Sequence, residues 1–126
     1  MNQCKRKKRG IAHFVSSFGC SIEGLRTALS ETAIRQELYL GIAHALAMVL
    51  VPLSLDMKIV LSVLWVAIII TELLNTAIET VVDLVCSDYH ELAKRAKDLG
   101  SAAVFCGLVA YITSWGALLV KVLWRG

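Results

Sequence analysis

The sequence predicts an all-α integral-membrane protein, with three transmembrane helices preceded by an amphipathic surface helix. Three observations carry that expectation. The 126 residues are 57% hydrophobic with a single proline, and the mean hydropathy is +0.68, whereas a soluble domain is nearer about 45–50% apolar. Apolar stretches at Leu38–Leu55, Ile59–Ile78 and Leu99–Leu119 reach or approach the roughly 20 residues that cross a hydrocarbon core of about 30 Å. The polar residues that interrupt the second stretch keep a helical phase.

Taken in order, residues 1–10 are a basic tail. Lys5, Arg6, Lys7, Lys8 and Arg9 precede the first stretch and predict a cytoplasmic N-terminus. Each should attract anionic headgroups by about 1 kcal/mol near the surface. A cluster of this kind elsewhere suggests nucleic acid, but membrane insertion argues against it. The following IAHFVSSF is too short and polar for a secretory apolar region, and no A-x-A site follows, so no cleavable signal peptide is expected.

The surface helix is expected over residues 11–37. Ile22, Leu25, Leu29 and Ala33 form an apolar line, while Ser21, Glu23, Arg26, Glu31, Arg35 and Gln36 supply the polar faces. A helix so patterned lies in the interface plane.

The spans are expected within residues 38–55, 59–86 and 99–124, in a single domain from 11 to 126. Arg35 and Glu37 before, and Asp56 and Lys58 after, bound the first span, which also contains His44. Gly41/Ala45 and Ala43/Ala47 on it are small-residue pairs suited to helix packing. The charged segment Ser87–Asp98 should return to the cytoplasm. Asp88 with Glu91 looks like a helix start, and Glu91/Arg95 and Lys94/Asp98 are favourable i,i+4 pairs. Gly100-Ser101-Ala102-Ala103 then offers close approach at the membrane surface. The C-terminus falls outside, mildly opposed by Lys121 and Arg125. Cys4, Cys20, Cys86 and Cys106 are too scattered to indicate zinc or a disulfide framework.

The second span carries the most informative pattern. Glu72, Asn75, Glu79 and Asp83 fall within an arc of roughly 80° at about 100° per residue. A solvated helix end explains Asp83. It explains Glu72 poorly, because Ile68, Ile69, Ile70, Leu73 and Leu74 surround it, and a carboxylate in hydrocarbon costs at least about 2.5–3.5 kcal/mol. A stripe of this kind needs a partner surface, so a homo-oligomer is expected. No Walker motif, kinase H-R-D, nucleophile elbow or H-E-x-x-H occurs. Two glutamates sharing magnesium, a desolvated glutamate as base and a lysine for phosphate would suffice for phosphoryl transfer, which is mostly positioning and charge neutralisation. Spacing alone does not separate a kinase from a proton-conducting bundle or from a scaffold whose loop binds a partner.

The segments ELLNTAIETVVD and SDYHELAKRAKDLGSAAV, with ETAIRQE at residues 31–37, resemble the small bacterial integral-membrane diacylglycerol kinases, a family shared with undecaprenol kinases. The likeness runs from about Gly19 to the end. It implies a homotrimer in the inner membrane that moves the ATP γ-phosphate to a lipid hydroxyl for phospholipid recycling. It also implies roles. Glu72 resembles the catalytic base, and Glu31 and Glu79 the carboxylates that hold Mg2+ with ATP. Lys97 and Asp98 resemble nucleotide contacts. Asn75, Arg35 and Ser101 resemble substrate-side residues, and Ser21 a nucleotide-side one. Arg35, Gln36 and Glu37 match a motif associated with orienting the surface helix. Cys20 stands where an aromatic residue is common and Glu23 where a basic one is, and the stretch from Gly24 to Glu31 is one residue shorter. Ser87-Asp88-Tyr89-His90-Glu91-Leu92 lacks the prolines of the undecaprenol branch, which favours diacylglycerol as substrate.

Overall fold

A computed structural model describes residues 10–124. They form four α-helices and no strand: α1 (Ile11–Ala28), α2 (Thr32–Leu50), α3 (Leu55–Val85) and α4 (Glu91–Trp124). The basic run Lys5–Arg9 lies outside the described residues.

The surface helix is shorter than its apolar line suggests. The N–H groups of Ser30 and Glu31 turn back to the carbonyls of Thr27 and Ala28, tightening the last turn in the manner of a helix end. The Ser30 hydroxyl also donates to the Thr27 carbonyl at 2.6 Å, and Glu31 is extended at ψ 136°. Glu31, Arg35, Gln36 and Glu37 therefore belong to the start of α2 and not to the surface helix. On α1, Ile11, Phe14, Val15, Phe18, Ile22 and Leu25 are all exposed. They recur at intervals of three and four, the spacing that lays one apolar face on a bilayer.

α2 ends ahead of Pro52. The residue before a proline is pushed out of the helical region, and Val51 is extended at ψ 129°. α3 starts after Ser54 with Asp56 in its first turn, where the positive helix end favours an acid. α4 begins at Glu91, later than Asp88 would set it. The cap is His90, whose Nδ1 accepts the Leu92 N–H at 3.2 Å; Asp88 stands too far ahead to reach those amides. Of the two expected surface pairs, Lys94 and Asp98 join, while Glu91 and Arg95, both exposed, do not.

α3 and α4 are each long and apolar enough to cross a membrane. α2 does not meet that standard, since its apolar stretch from Leu38 to Leu50 spans only about 20 Å at 1.5 Å per residue. α3 and α4 pack antiparallel. Asn75 lies against Gly100 and Ile68 against Gly107, while Trp65 meets Tyr111 with ring centroids 5.3 Å apart. α2 runs antiparallel to α3, with Gly41 under the Trp65 indole and His44 stacked on the same ring at 5.7 Å. Small residues at Gly41, Gly100 and Gly107 thus admit side chains of α3. Very little apolar surface is buried within one chain: among the described residues, Ala28, Ile34, Leu53, Leu61 and Ile68 are the buried hydrophobic ones. Cys86 and Cys106 are free thiols; Cys20 is disulfide-bonded, which the scattered spacing does not predict.

Candidate functional site

At the Glu72 level of α3 three helices converge. Glu72 and Asn75 are each only 7% exposed, and Glu37 of α2 is 8% exposed. These are the buried polar side chains among the described residues. The Asn75 amide donates from Nδ2 to Glu79 Oε1 at 3.3 Å, one turn nearer the helix end. Its Oδ1 points to Gly100 of α4, and a Cβ at position 100 would stand 2.2 Å from that oxygen. Glycine is what lets the amide sit there.

Two acceptors in this cluster have no hydrogen-bond partner, Asn75 Oδ1 and Glu37 Oε2. Buried polar atoms are almost always satisfied, so these two oxygens leave bonding capacity open beside Glu72. The charge of Glu72 acts on the Glu37 carboxyl across the two helices. Two acids facing each other in a dry site cannot both ionise freely. Glu37 directly precedes the apolar stretch of α2.

Nearer the loop, Lys97 Nζ of α4 lies 2.6 Å from Asp83 Oδ1 of α3. That hydrogen bond is the main cause that raises the Lys97 ammonium above its usual range, with burial opposing and the charges of Asp83 and Glu79 adding. Asp83, Lys97, Asp98, Tyr89, His90 and Lys94 line a cavity of about 490 Å3 beneath the loop. It brings two lysines, three aspartates, a tyrosine and a histidine to one place.

The other expected residues make local contacts only. Ser21 donates to the Ser17 carbonyl at 3.1 Å. Arg35 donates from Nη2 to Thr32 Oγ1 at 3.2 Å. Glu31 is exposed at the N-cap of α2 with no side-chain cap bond. Ser101 is exposed beside Gly100. Among the described residues no three His, Cys, Asp or Glu side chains gather as a metal site. Two carboxylates are enough for Mg2+, which keeps waters and takes one or two acids plus phosphate oxygens. Glu79, which accepts from Asn75, and the exposed Glu31 both offer carboxylate oxygens of that kind. Sequence reasoning missed Glu37 as a member of the site. Its signal is the shared face of Ile34, Glu37, Gly41, His44 and Met48, spaced three or four apart along α2.

Comparison with known proteins shows the family. A family model described as prokaryotic diacylglycerol kinase matches residues 19–119. The diacylglycerol kinase of Escherichia coli (strain K12) is 42% identical over 115 residues, covering 87% of this chain and 91% of that protein. That of Haemophilus influenzae is 39% identical over 120 residues, covering 90% and 97%. That of Pseudomonas aeruginosa is 33% identical over 112 residues, covering 88% and 91%.

Proposed function

The chain belongs to the prokaryotic diacylglycerol kinase family, and from that premise we propose that it transfers the γ-phosphate of ATP to the hydroxyl of diacylglycerol, giving phosphatidic acid. The observation that carries the site assignment is the buried Glu72 beside two unpartnered acceptors, Glu37 Oε2 and Asn75 Oδ1. The lipid hydroxyl donates its proton to Glu72 as its oxygen attacks the γ-phosphorus. A new O–P bond forms, the bond to the bridging oxygen breaks, and ADP leaves. Asn75 and Glu37 orient the lipid headgroup in the same pocket. Lys97, held by Asp83, and Asp98 bind the nucleotide beneath the loop, with Ser21, Arg35 and Ser101 around the approach. Glu31 and Glu79 would hold Mg2+, which when bound would supply neutralisation of phosphate charge.

The layout suits this substrate. Glu72 lies seven residues from Glu79, or roughly 10 Å deeper at 1.5 Å per residue, so a base near the headgroups can serve a lipid whose tails stay in hydrocarbon. The protein resides in the inner membrane with its N-terminus and loop in the cytoplasm, where ATP is. α2 makes the third crossing. Its pairing along α3 from Glu72 to the level of Ser62 supports that, and its short apolar stretch is matched by tilt or local thinning. The many exposed apolar side chains on α2, α3 and α4 suit contact with lipid and with two further copies in a homotrimer. The products serve phospholipid recycling.

The loop favours diacylglycerol over undecaprenol. In mixed micelles offering both lipids with Mg2+ and ATP, purified protein should phosphorylate diacylglycerol in clear preference. Preferential labelling of undecaprenol would assign it to the other branch. No ATP-dependent labelling of either lipid would return the chain to a non-catalytic bundle.

A further inference from the structure

α2 carries Glu31, Arg35 and Glu37, whereas Glu72, Glu79, Lys97 and Asp98 ride on α3 and α4. The antiparallel α3–α4 pair is extensive, and the Lys97–Asp83 bridge ties it at the loop end. α2 is held differently. Among the described residues, its side-chain hydrogen bonds to other helices come from a single residue, His44. Nδ1 of His44 lies 2.6 Å from the Tyr111 hydroxyl of α4, and Nε2 lies 3.4 Å from Ser62 Oγ of α3. The imidazole stacks on Trp65 at 14° between planes and meets Tyr111 edge-on. Both hydroxyls can donate or accept, so this knot closes in either neutral tautomer of the ring. It lies amid hydrocarbon, where no water replaces a lost partner. The cluster falls within the apolar stretches and takes no part in the phosphate chemistry described above.

The knot also fixes register. His44 is seven residues beyond Glu37, and Trp65 seven before Glu72. In an antiparallel pair those equal intervals lock together, so the level at which His44 meets Trp65 is the level at which Glu37 meets Glu72. A slip of α2 by one residue would move Glu37 about 1.5 Å along the axis and rotate it about 100° away. Gly41 supports the same register, since a Cβ there would stand 3.2 Å from the Trp65 indole nitrogen.

We propose that His44, through Tyr111 and Ser62, is a positioning residue that sets the register of α2 against α3 and α4 and so aligns the α2-borne acids with Glu72 and Glu79. This rests on the kinase reading of the site. It places a determinant of catalysis more than 10 Å from the chemistry, deep in the bilayer.

The test uses the full-length protein in lipid micelles with His44→Ala, Tyr111→Phe and the double variant. Tyr111→Phe removes one oxygen and keeps the ring stack, so it should fold even where His44→Ala does not. Rates are referred to folded protein, measured by near-UV circular dichroism and gel filtration. Misplacement by about 1 Å costs up to about 10²-fold in rate. We expect kcat to fall about tenfold and the KM for Mg-ATP to rise several-fold in each single variant, because Glu31 travels with α2. The double variant should be no worse than the more damaged single, as expected for one shared interaction. A lowered melting temperature with unchanged KM would make the knot merely structural and overturn the proposal. Losses that multiply in the double variant would overturn it too. Glu72→Gln run alongside separates the two levels: if it keeps its turnover, the site assignment has failed. Normal Tyr111→Phe kinetics beside an inactive Glu72→Gln defeats the positioning role alone.

Discussion

Glu72→Gln is expected to lose about 10²–10⁴-fold in turnover, the usual range for removal of a general base, while the KM for Mg-ATP changes little. The substitution keeps the size of the side chain and a hydrogen-bond acceptor, so the pocket formed with Glu37 and Asn75 should persist. What is lost is the capacity to take the lipid proton as the new O–P bond forms. Lys97 and Asp98, the proposed nucleotide contacts, line the cavity beneath the loop and are not touched. Steady-state kinetics on purified variant in micelles decides the matter. Turnover within a few-fold of the parent would take the role of base away from Glu72.

The α3 stripe is legible in the sequence because a period of 3.6 is a local property. Four polar residues on one arc of an apolar helix have to face something other than lipid, and Glu72 and Asn75 are buried accordingly. Asp83 reads as a solvated helix end, and it is exposed. Its ion pair with Lys97 depends on how the loop folds α4 back on α3, which no local period encodes. Glu37 is harder to read. Its neighbours suggest a role in orienting a surface helix, and only the break at Leu29–Glu31 shows that it belongs to the next helix and faces Glu72. That break has no proline or glycine to announce it. It arises from i→i+3 turns and the Ser30–Thr27 bond, while the apolar line from Ile22 to Ala33 runs straight through it. His90 as the cap of α4 is likewise hidden, since Asp88 is the stronger capping residue by type.

Gly100→Ala is expected to inactivate the enzyme, although the substitution adds one methyl group remote from the phosphates. A Cβ at position 100 would stand 2.2 Å from Asn75 Oδ1, 3.3 Å from its Cγ and 3.8 Å from its Cα. The Asn75 amide could rotate away, which breaks its bond to Glu79 and turns it out of the Glu72 pocket. Alternatively α4 could back off from α3, which widens the whole site. The first route turns the Asn75 amide away from Glu72 and Glu79, and the second carries Lys97 and Asp98 of α4 away from them; a displacement of about 1 Å is enough to cost up to about 10²-fold in rate, with about 1–3 kcal/mol of stability lost to overpacking. Gly107→Ala is the internal control, two turns further along the same face. Its Cβ would meet Ile68 Cγ1 at 3.4 Å and Thr71 Oγ1 at 3.8 Å, ordinary contact distances, so alanine should fit. Alanine in a helix interior is favoured over glycine by about 1 kcal/mol, so Gly107→Ala should retain turnover and melt at or above the parent temperature. The pair thus makes opposite predictions for the same chemical change on the same helix. Kinetics and thermal melts of both variants test them together, and a Gly100→Ala enzyme that turns over like Gly107→Ala would mean that the placement of Asn75 against Gly100 is not needed for the reaction.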